Sequence, residues 1–125
     1  MKWPASDLAR IAETDDLHIS PFREDGSTPG TPTWIWSVAV DGELFVRAYH
    51  GKSSRWYQAA LQQRAGHIRA AGATRQVAFD PVADAALLER IDAAYRAKYK
   101  GSPYVDPMVG PRARAATVRI VPRPA

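Results

Sequence analysis

The stretch that decides the fold runs from Thr33 to Leu61, TWIWSVAVDGELFVRAYHGKSSRWYQAAL. Its first eight residues, Thr33 to Val40, alternate between two largely apolar faces. Trp34, Trp36, Val38 and Val40 make one face, and Thr33, Ile35, Ser37 and Ala39 the other. Two apolar faces predict a central strand covered on both sides. Asp41-Gly42 then suits a two-residue hairpin turn, which needs positive φ, so the next strand, Glu43 to about Tyr49, pairs antiparallel. Leu44, Val46, Ala48 and His50 share one side of it; Glu43, Phe45, Arg47 and Tyr49 share the other. After a polar loop, Ser53 or Ser54 is placed to cap a helix running to about Gln63, with Trp56, Tyr57, Ala60, Leu61 and Arg64 at helical spacing.

Upstream, Ser6 is positioned as the N-cap of a helix from Asp7 to about Thr14, with Leu8, Ile11 and Ala12 on one face. Leu17 to Phe22 reads as a strand, and Arg23 to Pro32, rich in Gly, Ser, Thr and Pro, as a loop. Downstream, Gly66 to Ala71 and Thr74 to Pro81 form a second hairpin around Gly72, with Ile68, Val77 and Phe79 inward. The longest helix spans about Ala83 to Lys100 on a stripe of Leu87, Leu88, Ile91, Ala94, Tyr95 and Lys98, and Gly101 stops it. Gly101 to Arg112, with three prolines, is expected to be an extended loop, and Ala115 to Val121 a final strand. Each of the six strands is joined to the next through a turn or a short helix, and no βαβ glycine fingerprint occurs. The expectation is a mainly β, α+β fold: a small six-stranded antiparallel barrel decorated by helices, one domain over residues 1–125.

Bulk properties agree with one globular unit. The chain has 125 residues, 46% apolar and 24% charged, enough to bury a core. No apolar run approaches the roughly 18 residues of a membrane span, and the N-terminal MKWPASDLARIAETDD lacks the apolar middle of a secretory signal. Absence of cysteine excludes disulfides, thiolate-bound metal and thiol catalysis, and a cytoplasmic location is expected. A net charge of +4 from 17 basic and 13 acidic residues, without a Lys/Arg block, reads first as an ordinary solvated mixed surface, and among ligands fits a small anion better than nucleic acid.

Two clusters carry candidate chemistry. Arg47, Tyr49, His50, Gly51, Lys52, Ser53, Ser54 and Arg55 crowd into one loop at a helix start, where cations and free amides suit a phosphate or carboxylate. The competing reading is a polar loop whose serines only cap the helix. Trp34, Trp36, Trp56 and Tyr57 lie near the same loop, and aromatic walls suit a flavin, a deazaflavin, a nucleobase or a sugar. For each of them taken singly, packing of a small barrel or a dimer seam is the better reading. His18, His50 and His67 lack metal-ligand spacing, and no metal is expected. Without a Ser/His/Asp order, a P-loop or a metalloprotease motif, the chain points to a borrowed cofactor or to pure binding.

The segments LHISPFREDG, GTPTWIW, VRAYHGKSSRWYQAAL, AGHIRAAG, IDAAYRAKYKGSPYV and ARAATVRIVPR resemble a small bacterial family of unknown function, DUF2255, over nearly the whole chain. More loosely, T-P-x-W before a hairpin, then V-R-x-Y-x-G and a W-Y-x-x-x-L helix, is similar to deazaflavin-dependent nitroreductase-like proteins. More widely it resembles FMN-binding split barrels of the pyridoxamine phosphate oxidase type. That resemblance implies a homodimer with FMN or a deazaflavin near the subunit interface, and hydride transfer to a small substrate. It places Arg47, Tyr49, Gly51, Lys52, Ser53, Ser54 and Arg55 at the cofactor phosphate, with Trp34, Trp36 and Trp56 nearer the ring. A non-catalytic ligand-binding or structural homodimer of the same fold is the alternative. One departure stands out: Arg23-Glu24-Asp25-Gly26 carries two carboxylates where nitroreductase-like relatives have a basic turn.

Overall fold

Thr33–Val40 serves two edges of one sheet. In the computed structural model, which describes residues 2–123, this segment forms two short strands, β2 (Thr33–Trp34) and β3 (Ser37–Val40), separated by Ile35 and Trp36. The remaining strands are β1 (His18–Pro21), β4 (Glu43–Arg47), β5 (Ala65–Ala70), β6 (Ala73–Pro81) and β7 (Thr117–Pro122). All pairings are antiparallel, in the order β2-β1-β5-β6-β7-β4-β3. The two outermost strands are therefore neighbours in sequence. Two intervening residues span only about 10 Å of extended chain, so the sheet must curl to bring its edges together. The result is a seven-stranded antiparallel half-barrel in a mixed α+β fold, not the six strands expected. The extra strand arises because the chain leaves β1 at Trp34 and joins β4 at Ser37.

Asp41-Gly42 makes the anticipated hairpin, with φ of 54° and 77° and register Val40↔Glu43. Alternation then sorts β4 between two cores. Leu44, Val46 and Ala48 join Ile19, Ile68, Val77, Phe79, Val118 and Ile120 on one face of the sheet. Helices α1 (Ala5–Glu13) and α2 (Arg55–Gln63) cover that face through Leu8, Ile11, Tyr57 and Ala60. Phe45 faces the other way, with Val38, against Leu87, Ile91 and Tyr95 of α3 (Ala85–Lys98). Asp84 caps α3 by accepting from the Leu87 amide at 2.8 Å.

Two local expectations are corrected. Helix α1 starts at Ala5 behind Pro4, so Ser6 lies inside it and makes no cap; proline's fixed φ suits that junction. Gly101–Arg112 is not an extended loop but folds into α4 (Val105–Val109) and α5 (Pro111–Arg114). Its prolines were misleading because Pro107 and Pro111 sit in first turns, where a missing N–H costs no helical hydrogen bond. The acidic turn has a structural use: Asp25 accepts from the amides of Ser27 and Thr28 at 2.9 and 2.8 Å and from the Thr28 hydroxyl. Those bonds, the Thr28 hydroxyl first, hold its carboxyl down at about 2. No helix among the described residues is long and apolar enough to cross a membrane.

Candidate functional site

Where the sheet's two edges approach each other, an open cleft of about 940 Å³ lies between β2, the end of β4, the start of α2 and the α4 segment. Its walls are mostly aromatic. Trp36 stacks on Tyr99 at 3.9 Å with planes 3° apart, and Tyr99 is locked because its hydroxyl accepts from the Ser37 amide at 3.1 Å. Tyr104 stands edge-on to Trp36 at 6.5 Å and to Tyr49 at 6.0 Å, and the His50 ring meets Tyr49 edge-on at 5.0 Å. The rings thus run as a chain, His50–Tyr49–Tyr104–Trp36–Tyr99. Trp34, 54% exposed, is held at the mouth by donating its indole N–H to the Asp15 carbonyl.

The start of α2 contributes polar groups to the cleft. Ser53, Ser54, Arg55 and Trp56 line it, and Ser54, at the cap position, makes no side-chain cap bond. The first-turn amides of Arg55, Trp56 and Tyr57 have no carbonyl four residues back within the helix. Ser53 turns away, donating its hydroxyl to the His50 carbonyl. Free amides, the positive end of a nine-residue helix and the exposed Arg55 together suit an anion.

Of the residues expected at a cofactor, Trp34, Arg47, Tyr49, His50, Ser53, Ser54, Arg55 and Trp56 line this cleft. Gly51 and Lys52 are not part of its lining. Gly51 is buried against the Arg112 side chain, and Lys52 is an exposed residue of the 3-10 turn Gly51–Ser53. Arg47 needs a larger correction. Its side chain is 0% exposed. Nε donates to the Thr117 hydroxyl, Nη1 to Asp92 and to the Met108 carbonyl, and Nη2 to the Leu88 carbonyl. Four of its five N–H groups are committed inside the protein, so it supports the cleft floor instead of reaching for a phosphate. Asp92 binds Arg114 as well. Tyr104 and Met108, assigned above to an extended loop, complete the lining from α4 and the turn before it. The Glu24-Asp25 turn is not part of the lining. Among the described residues no cluster of three or more His, Asp or Glu could hold a metal.

The model for the family described as "Uncharacterized protein conserved in bacteria (DUF2255)" matches residues 7–120. The chain belongs to the DUF2255 family. Among solved structures, this DUF2255 chain is similar to the conserved hypothetical protein Rv2991 from Mycobacterium tuberculosis. That likeness has a TM-score of 0.67 at 16% identity and covers 99% of this chain and 82% of the other. At that identity it speaks for the fold alone. No curated protein matches the chain.

The tyrosines behind the cleft set an alkaline limit. Burial pushes the Tyr99 phenol up to about 12 and also raises that of the fully buried Tyr95. An unfolded phenol ionises near 10, so both tyrosines contribute stability that is complete below about pH 10 and is lost as pH rises toward 12. Lys98, held below its usual value by burial, works in the opposite direction. The urea midpoint is therefore expected to fall between pH 9 and pH 11, and Tyr99→Phe to flatten part of that fall. An identical fall in the variant would show that Tyr99 does not carry the effect.

Proposed function

We propose that the cleft binds a phosphate-bearing cofactor with a flat ring, FMN or a deazaflavin, and that the protein directs hydride transfer from it to a small substrate. On this reading the half-barrel is a split barrel of the FMN-binding type. One observation carries it: a single cleft is lined both by aromatic rings and by an uncapped helix start with Arg55. A volume of about 940 Å³ lies within the roughly 300–1,000 Å³ of small-molecule sites. The cofactor would supply the redox chemistry, while the protein binds, orients and shields it. Arg55 and the first-turn amides of α2 hold the phosphate. Trp36, fixed from behind by Tyr99, offers its free face to the ring. Arg47 keeps Met108, and so α4, against the cleft.

A titration followed by tryptophan and flavin fluorescence tests this. Wild-type protein is expected to bind FMN or a deazaflavin at micromolar concentration. Arg55→Ala should weaken binding about tenfold or more, because a charge-assisted bond is lost. Lys52→Ala, outside the cleft, should change it less than about twofold. No binding of either ligand at millimolar concentration would remove the cofactor reading.

The second reading, a non-catalytic ligand-binding or structural homodimer, is favoured by a separate observation. Trp34 and Tyr104 are the exposed large apolar side chains of the described residues, and both stand at this cleft. Sedimentation separates the readings: a dimer that Trp34→Ser disrupts, with no FMN or deazaflavin bound, would establish the second.

A further inference from the structure

We propose that His50 is the acid of the reaction, donating the proton that accompanies hydride transfer to the substrate; this rests on the cofactor reading above. The cleft-lining side chains include no Asp, Glu, Lys or Cys. Arginine stays charged, and serine and tyrosine hydroxyls hold their protons at neutrality. Imidazole is the only side-chain type present that exchanges a proton in that range.

Its position suits the task. His50 follows β4, opens the turn before α2 and lines the cleft together with the aromatic residues and the helix start. The ring stands 5.0 Å from Tyr49, itself 6.0 Å from Tyr104, so a planar substrate lying along that wall borders the imidazole. The ring has no hydrogen-bond partner among the described residues, and His50 is exposed, so it exchanges protons with water. Lys52 and Arg55 follow it on its own segment, and Arg112 of α5 lies over Tyr49 at 5.5 Å. No carboxylate lines the cleft to hold the proton back.

The step balances. Hydride brings two electrons and a hydrogen to one end of a polarised double bond in the acceptor, such as a conjugated carbonyl. The π pair moves to the far oxygen, which takes the N–H proton of the His50 imidazolium. The neutral ring then regains a proton from water. General acids in this role contribute about 100-fold or more to rate.

The test uses whole protein loaded with FMN, reduced without oxygen and mixed with menadione as the acceptor, from pH 5.5 to 8.5. His50→Gln should bind FMN as tightly as wild type, reoxidise the flavin about 100-fold more slowly, and lose the fall in rate that wild type shows with rising pH. Independently of turnover, adding menadione to the cofactor-free protein should shift the ring C–H resonances of His50 and leave those of His18 and His67 in place. Equal rates and pH profiles in the variant and wild type, with the His50 resonances unmoved, would overturn the assignment and leave cofactor binding standing. Failure of wild type to bind FMN or a deazaflavin would overturn both.

Discussion

Asp92→Asn is expected to remove about 3–5 kcal/mol of folding stability, the cost of stripping the partner from a buried charge. Arg47 is 0% exposed, and its other partners are the neutral Thr117 hydroxyl and the carbonyls of Met108 and Leu88. None of these offsets a formal charge. Asp92, itself only 15% exposed, supplies the one anionic contact and also binds Arg114 at 3.2 Å. Asparagine keeps the shape but not the charge, so the loss measures electrostatics and not a cavity. A domain of this size has about 5–15 kcal/mol in all, so the urea midpoint should fall by about a fifth or more. Removing both charges with Arg47→Met and Asp92→Asn should cost less than Asp92→Asn alone, because no unpaired ion is left in the interior. A midpoint for Asp92→Asn within about 1 kcal/mol of wild type would mean that the guanidinium finds water in the folded state. The same variant should speed amide exchange in α4 and α5, since Met108 and Arg114 are fastened through this network.

That network also shows how far the sequence was legible. Period-2 alternation correctly put Arg47 on the side of β4 shared with Phe45 and Tyr49. It could not show that α3 and α4 close over that side and take up the donors. Asp92 went unnoticed although a local signal existed. Leu88, Ile91, Asp92 and Tyr95 follow the i, i+3, i+4, i+7 spacing of a buried helix face, so a carboxylate there implies a buried cation to meet it. The break at Ile35–Trp36 had no such mark. No glycine, proline or polar turn interrupts Thr33–Val40, and the interruption exists only because one segment must serve both edges of the curled sheet. By contrast the hairpins, the α3 stripe and the polar start of α2 were readable, because each depends on residues within a few positions of one another. The cleft combines both cases. Its lining from the α2 start is local to Ser53–Trp56, whereas its aromatic wall joins Trp36, Tyr49, Tyr99 and Tyr104 from three distant segments. The division extends to the cations: Arg47, Lys52 and Arg55 look equivalent in sequence, yet Arg47 is buried in the scaffold, and of the two exposed cations Arg55 lines the cleft and Lys52 does not.

Gly66→Ala should be among the most damaging single-methyl additions to this chain, although glycine to alanine in a strand is otherwise mildly favourable. Gly66 pairs with Pro21 between β5 and β1. A Cβ there would lie 2.5 Å from the Ser20 carbonyl oxygen, 2.6 Å from the Pro21 Cα and 3.1 Å from the Phe22 amide nitrogen. All three are backbone atoms, so no side chain can swing aside and the strand itself must move. Overpacking typically costs about 1–3 kcal/mol, and compression against a paired strand places this variant at the upper end. Gly42→Ala is the informative comparison. Nothing lies within 4 Å of its added carbon, but φ is 77°, so it should lose only the roughly 1–2 kcal/mol of left-handed strain. The two losses should also differ in reach. Displacing β1 moves β2, which pairs with it through His18↔Trp34, so Gly66→Ala should change the tryptophan fluorescence and weaken the FMN binding proposed above. Gly42→Ala, at the far end of the β3–β4 hairpin, should do neither. A Gly66→Ala protein with wild-type midpoint and wild-type fluorescence would mean that β1 and β5 tolerate a wider spacing, and that Trp34 is placed by its own hydrogen bond to Asp15 instead of by the sheet.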